Sequence, residues 1–277
     1  MTASISNGIG GTTILSYSSH FPDSTPVAVS SGMGAAGIVG SFLYASLTEP
    51  HLANLSPGTA ILLMLVFPFT LATFYWLVLD HPSNLMKKCL KDPTEDCQEY
   101  TARQAIKSTS LIEKIGAIKP SLRFLLPMIV VYMAEYTTNQ GFIQFIVFDC
   151  ANGFGLAKIS QYRWFQFIYR VGTFVTKTSL LFIDFSTNWL YLFPLLQLSN
   201  GVLFYFEALF AFLPHISLPF LMVFISGLVG GACLSKTYNH IHKTTPADFK
   251  PFLLGVASTS DTFGIFLAAF LSIWVWC

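Results

Sequence analysis

Three cationic residues, Arg163, Arg170 and Lys177, recur at intervals of seven in a segment that is mainly apolar and aromatic. Seven helical steps of about 100° come within about 20° of two full turns, so the three side chains lie on one face of a helix. Gln166 lies beside the same face. Cations that face a polar cavity favour an anionic ligand, because a guanidinium group matches a phosphate or carboxylate in a bidentate arrangement. The spacing therefore predicts contacts to a small anion.

The same cations have a second interpretation, in which their side chains extend along the helix to the lipid headgroups. This interpretation accounts for Arg163, near one end of the segment, and in part for Lys177, near the other. It does not account for Arg170, which lies in the middle of the segment. Arg170 and Lys177 are therefore predicted as the main anion contacts.

Glu135 is a carboxylic acid in another apolar segment, and the polar residues 137–141 follow it closely. An ionisable group in the bilayer core costs at least about 2.5–3.5 kcal/mol, so such groups are functional candidates by default. Glu135 is predicted either to carry a coupled proton or to form a structural ion pair with Arg170 or another buried cation. Asn139 and Gln140 are predicted to orient a substrate by hydrogen bonds.

Asp261 is a second carboxylic acid of this kind, within the polar run 258–262. Two interpretations remain open for it: a coupling or gating group, and a residue that joins helices by hydrogen bonds. Glu207 lies among aromatic residues closer to the end of its segment, which predicts an interfacial position. Glu135 and Asp261 are therefore the predicted coupling or gating residues.

The composition places these residues in a membrane protein. Of the 277 residues, 53% are hydrophobic and only 10% are charged, whereas a soluble domain has about 25% charged residues. The net charge of +1 provides no concentrated basic face, which argues against nucleic acid as a partner. The sequence has no CxxC pair, no metal-ligand spacing of histidines and no nucleophile–base, Walker or HExxH motif. It predicts no enzyme activity, no metal and no cofactor.

A membrane-spanning helix needs about 20 mostly apolar residues, and eight segments of the chain approach this length. The predicted spans are 1–20, Val27–Leu47, Thr59–Leu79, Phe124–Phe148, Tyr162–Phe185, Trp189–Ala211, Ile216–Tyr238 and Phe252–Trp276. The predicted fold class is an all-α polytopic membrane protein with about eight transmembrane helices.

The segment 80–123 holds eight of the fifteen Lys and Arg residues. Loops rich in these residues stay in the cytosol, so 80–123 is predicted to be a cytosolic linker loop. A long central loop between two helix groups is typical of two-bundle transporters, which normally have six helices in each bundle. Residues 1–79, with three spans, are therefore predicted to be the remnant of an incomplete amino-terminal bundle. Residues 124–277, with five spans, form the predicted carboxy-terminal bundle.

Small residues recur at every fourth position at Gly32, Ala36 and Gly40, and again at Gly227 and Gly231. Such spacing lets helix backbones approach closely in lipid. The alternative is a substrate-lining role or a hinge in a moving helix.

One glycosylation sequon, Asn54-Leu55-Ser56, lies in a loop predicted on the side of the membrane opposite the cytosol. Asn54 is therefore a candidate glycosylation site. Pro57 follows at once and the loop is short, which disfavours the modification.

Five short strings occur together across the chain. They are SSGMGAAGIVG at 30–40, YMAEYTTNQG at 132–141, QYRW at 161–164, GLVGGA at 227–232 and SDTFGI at 260–265. With these strings, in this order, the chain resembles the battenin family of lysosomal membrane proteins over nearly its whole length.

The resemblance implies a major-facilitator-like two-bundle fold in lysosomal or late endosomal membranes. Family members are linked to lysosomal pH, to basic amino acid handling and to export of glycerophosphodiesters, which are anions. The expected function is a lysosomal transporter of small anionic metabolites, with the lipid bilayer, the anion and protons as partners. The alternative is a non-transporting endolysosomal scaffold that recruits cytosolic trafficking proteins through the 80–123 loop.

Three features depart from the family pattern. Residue 1 aligns within the family's fourth helix, so the first three helices are expected to be missing. Gly11 stands where family members have Glu, which weakens a role for the first span. The chain ends at Cys277 without a CaaX motif, so prenylation is not expected.

Overall fold

The computed structural model describes residues 2–18, 25–77, 111–179, 186–246 and 248–276, and every regular element in these ranges is helical. The nine α-helices of these ranges are α1 (Thr2–Ser18), α2 (Thr25–Thr48), α3 (Pro57–Leu63), α4 (Val66–Leu77), α5 (Leu111–Tyr136), α6 (Lys158–Ser179), α7 (Trp189–Phe210), α8 (Ser217–Thr244) and α9 (Lys250–Trp276). After α5 the chain continues through a π-helical turn, Thr137–Phe142, and a 3-10 turn, Ile143–Phe145.

Six helical segments in the described part of the chain are long and apolar enough to cross a membrane. They are Thr25–Thr48, Pro57–Leu77, Glu113–Phe145, Trp189–Phe210, Ser217–Thr244 and Lys250–Ile273. Each overlaps one predicted span, which confirms the all-α polytopic membrane class. The predicted spans 1–20 and Tyr162–Phe185 correspond to α1 and α6. Neither helix meets the length and apolar character required of a membrane-spanning segment. Helix α1 has only 17 residues, and α6 contains four cations, which lower its hydropathy.

The chain divides into two compact units, residues 1–41 with 109–277 and residues 42–108. Residues 111–123, which end the predicted cytosolic loop, form the first turns of α5. The division into bundles at 80–123 stays a prediction, because residues 78–110 lie outside the described ranges.

Helices α6 and α8 cross with their backbones in direct contact, and glycines make this approach feasible. A Cβ atom added at Gly172 of α6 would meet the carbonyl oxygen of Phe224, and one added at Gly227 of α8 would meet the carbonyl oxygen of Tyr169. A Cβ atom added at Gly231 would likewise meet atoms of Thr173 and Thr176 in α6. The packing interpretation of Gly227 and Gly231 is therefore confirmed.

Helix α2 packs on α6 through a different face from the predicted one. A Cβ atom added at Gly34 would lie 3.1 Å from the Phe174 Cα, and one added at Gly37 would lie 3.0 Å from the Arg170 Cδ. Among the described residues, no atom outside the α2 backbone lies within 4 Å of the Cβ position at Gly32, so a packing role for Gly32 stays a prediction. Small residues occur on several faces of α2, and their spacing alone does not select one.

The end of α5 is fixed by α9 and by the start of α6. A Cβ atom added at Gly264 of α9 would lie 2.6 Å from the Ile129 carbonyl oxygen, so these helices also pack backbone to backbone. Gln161 of α6 is 1% exposed; its Oε1 accepts the Phe148 N–H at 2.9 Å and its Nε2 donates to the Phe148 carbonyl at 2.8 Å. The Gln161 hydrogen bonds hold the chain that follows the 3-10 turn against α6.

Candidate functional site

Glu135 lies in the last turn of α5 and is fully buried, with 0% of its surface exposed. Immediately after it the helix widens into the π-helical turn. Thr137 Oγ1 donates to the Met133 carbonyl at 2.7 Å, and Thr138 Oγ1 donates to the Ala134 carbonyl at 2.8 Å. The hydroxyl groups thereby hydrogen-bond backbone carbonyls where the regular α-helical pattern ends.

The Glu135 carboxylate lies between α6 and α8. Its Oε1 accepts a hydrogen bond from the Tyr169 hydroxyl of α6. On α8 it faces Gly230, where an added Cβ atom would overlap Oε2. Oε2 is buried and has no hydrogen-bond partner within the described ranges. One oxygen of this carboxylate is therefore available to a proton or to a ligand donor.

The Arg170 side chain is held by three neighbouring groups. Its stem passes over Gly37, whose lack of a side chain makes room for it. Its guanidinium carbon lies 5.1 Å from the centroid of the Tyr169 ring, within cation–π range. It also interacts electrostatically with the Tyr136 hydroxyl. These contacts keep a permanent positive charge within electrostatic range of Glu135.

Lys177 is 8% exposed, and its Cδ lies 3.4 Å from the Cβ position at Gly34. Its charge interacts with the carboxylates of both Glu135 and Asp261. Within the described residues, neither Lys177 nor Arg170 forms a direct ion pair with either carboxylate. The ion pair considered for Glu135 and Arg170 is thus not formed in this structure, and both cations retain donors for an anion.

Asp261 of α9 is connected to the other charges through tyrosines. Its Oδ2 accepts a hydrogen bond from the Tyr238 hydroxyl at 3.5 Å. Tyr132 stacks on Tyr136 with 6.1 Å between ring centroids and interacts electrostatically with Glu135 and Asp261. We call this group the charged cluster: Glu135, Asp261, Arg170 and Lys177 with Tyr132, Tyr136, Tyr169 and Tyr238.

The other predicted site residues lie elsewhere on α6, in the π-helical turn and in the loop before α3. Arg163 is partly buried in the second turn of α6. Gln166 Nε2 and Asn139 Oδ1 are buried without a hydrogen-bond partner in the described part of the chain. Gln140 is exposed, and Asn54 is exposed in a loop with a positive φ of 48°.

The sequence-based prediction missed the tyrosines and Gly230. A tyrosine within a membrane helix needs a partner for its hydroxyl group, and Tyr169 stands directly before Arg170. The adjacency of Tyr169 and Arg170 was the sequence feature that could have identified this tyrosine. No sequence feature identifies Gly230, because its role depends on which residue of α5 lies opposite.

The charged cluster can combine a proton with an anion. With both carboxylates ionised, its two cations and two anions cancel; one proton on a carboxylate leaves a net charge of +1. A monovalent anion would restore neutrality. Within the described residues, no group of three or more His, Cys, Asp or Glu residues could hold a metal ion.

A family model described as CLN3 protein matches residues 1–276. Battenin of Canis lupus familiaris is 33% identical over 285 residues, which cover 98% of this chain and 62% of the relative. Protein btn-1 of Neurospora crassa is 31% identical over 310 residues, which cover 98% of this chain and 66% of the relative. Protein BTN1 of Yarrowia lipolytica is 28% identical over 284 residues, which cover 99% of this chain and 70% of the relative. The chain thus spans less than two thirds of the length of the first two relatives. No solved structure matches.

Proposed function

The chain belongs to the CLN3 protein family, and we propose that it exports small anionic metabolites from lysosomes. Glycerophosphodiesters are the proposed substrates. The observation that carries the proposal is the pair of cations Arg170 and Lys177, which lie within electrostatic range of Glu135 without a direct ion pair to it. Their remaining donors suit the oxygens of a phosphodiester.

The proposed coupling ion is the proton. An acidic lysosomal lumen protonates Glu135 or Asp261, and the resulting net charge of +1 attracts one phosphodiester anion. The proton and the anion then cross together by alternating access. Proton movement of this kind would affect lysosomal pH, and through the pH gradient it would affect the handling of basic amino acids.

Replacing Arg170 tests the anion contact. We expect Arg170→Ala to lower glycerophosphodiester efflux about tenfold to a hundredfold, because a hydrogen bond to a charged group contributes about 1.5–3 kcal/mol. The measurement is efflux from lysosomes that lack the protein and are rescued by either form. Lys158→Ala is the matched control, since Lys158 lies on the same helix, is 71% exposed and pairs only loosely with Asp149 at 4.0 Å. Equal rescue by Arg170→Ala and the wild type would overturn the assignment.

The competing function is a non-transporting scaffold that binds cytosolic trafficking proteins through residues 80–123. The concentration of eight cations in that segment favours it. We expect deletion of residues 85–108 to leave substantial efflux, because this segment precedes α5 and contributes no residue of the charged cluster. Measured efflux that is unaffected by both this deletion and Arg170→Ala, together with lost binding of cytosolic proteins, would favour the scaffold. That the protein has no enzymatic activity stays a prediction.

A further inference from the structure

Asn139 Oδ1 and Gln166 Nε2 are among the buried amide atoms that lack a hydrogen-bond partner within the described residues, and both lie outside the charged cluster. Asn139 is 4% exposed and lies in the π-helical turn after α5, and Gln166 lies in the middle of α6. Buried polar atoms are nearly always hydrogen-bonded. An open acceptor and an open donor therefore suggest a ligand that can supply the complementary groups.

Tyr162 shows that these amides belong to neighbouring parts of the protein. Its hydroxyl donates to the Asn139 carbonyl at 3.4 Å, which joins the π-helical turn to α6. Gln166 follows Tyr162 by four residues, and Arg170 follows Gln166 by four more, so the three side chains share one face of α6. Each step corresponds to about 6 Å of helix axis. Gln166 therefore lies one turn from the proposed anion contact.

We propose that Asn139, Tyr162 and Gln166 form a subsite for the neutral hydroxyl groups of the substrate, beside the anion contact at Arg170. This inference rests on the proposed function and specifies it further. A hydroxyl group both donates and accepts hydrogen bonds, so it can donate to Asn139 Oδ1 and accept from Gln166 Nε2. The glycerol end of a glycerophosphodiester carries two adjacent hydroxyl groups a few bonds from the phosphate.

Two phosphodiesters of equal charge separate this subsite from the anion contact. Glycerophosphoglycerol carries hydroxyl groups at both ends, whereas diethyl phosphate has none. For the full-length protein reconstituted in liposomes, we expect the KM for glycerophosphoglycerol to be at least tenfold lower than that for diethyl phosphate. Gln166→Leu and Asn139→Leu should each raise the KM for glycerophosphoglycerol about tenfold. The KM for diethyl phosphate should stay the same.

The ratio of the two KM values is measured on one preparation, so it does not depend on how much of a variant folds. Asn188→Leu is the control for removing an amide, because Asn188 is exposed and its side chain makes no capping hydrogen bond. Equal KM values in the wild type, or an equal rise for both substrates in Gln166→Leu, would overturn the subsite and leave anion transport standing. If the wild type transports neither phosphodiester, the proposed function fails, and the subsite fails with it.

Discussion

Glu135→Gln is expected to abolish the dependence of export on a proton gradient while the fold is retained. Glutamine has nearly the size of glutamate, and its Oε1 can still accept the hydrogen bond from the Tyr169 hydroxyl. An amide cannot take up and release a proton in the physiological pH range. In liposomes with an acidic interior, gradient-driven efflux should fall at least about tenfold, the loss expected of a missing proton-transfer group. Exchange of labelled for unlabelled substrate without a gradient should persist.

Glu207→Gln is the matched control for this experiment. Glu207 is also a buried glutamate, with 3% exposure, and its interfacial position in the membrane stays a prediction. Its Oε2 accepts the Leu213 N–H at 2.9 Å, so its contact is local to the end of α7. The gradient response should survive this change. A normal gradient response in Glu135→Gln would contradict the role of Glu135 and leave Asp261 as the acid to test by Asp261→Asn.

Gly230→Ala is expected to abolish transport and to destabilise the protein. The added Cβ atom would overlap Glu135 Oε2, so the carboxylate must shift away from α8, which changes its hydrogen bond with the Tyr169 hydroxyl. Overpacking of a core typically costs about 1–3 kcal/mol. The free energy of unfolding should fall by this amount, as measured by thermal unfolding of the purified protein in detergent.

A double variant identifies the cause of the Gly230→Ala effect. In the background of Glu135→Ala the clash is gone, so Gly230→Ala should cost much less stability than in the wild type. Gly116→Ala serves as the control, since no atom of the described residues outside the α5 backbone lies within 4 Å of its Cβ position and alanine favours a helix. An equal penalty for Gly230→Ala in both backgrounds would show that contact with Glu135 is not the reason.

The apolar helices could be predicted because long hydrophobic runs are a local property of the chain. Helix α7 begins at Trp189 as predicted, and α8 begins at Ser217, one residue after the predicted start. The beginning of α5 was missed because residues 111–123 carry charges that were interpreted as a loop. Charged residues indicate that a segment lies in water rather than in lipid, but they do not indicate whether the segment forms a helix or a loop.

Of the residues in the charged cluster, only the four charged ones could be predicted from the sequence. Arg170, Lys177, Glu135 and Asp261 were conspicuous because ionisable residues are scarce in this chain. Their tyrosine partners and Gly230 depend on how α5, α6 and α8 cross. The crossing of α6 and α8 depends on backbone contacts at glycines that are distant in the sequence. No pattern within a single helix contains that information.

Proton-coupled export of phosphodiesters is tested most directly by measuring proton and phosphodiester flux simultaneously in the same liposomes. Glycerophosphoglycerol should move together with protons in the wild type and in Lys158→Ala. Arg170→Ala should lose most of both fluxes, and Glu135→Gln should lose the accompanying proton movement. Phosphodiester flux without protons in the wild type, or no phosphodiester flux at all, would contradict proton-coupled export.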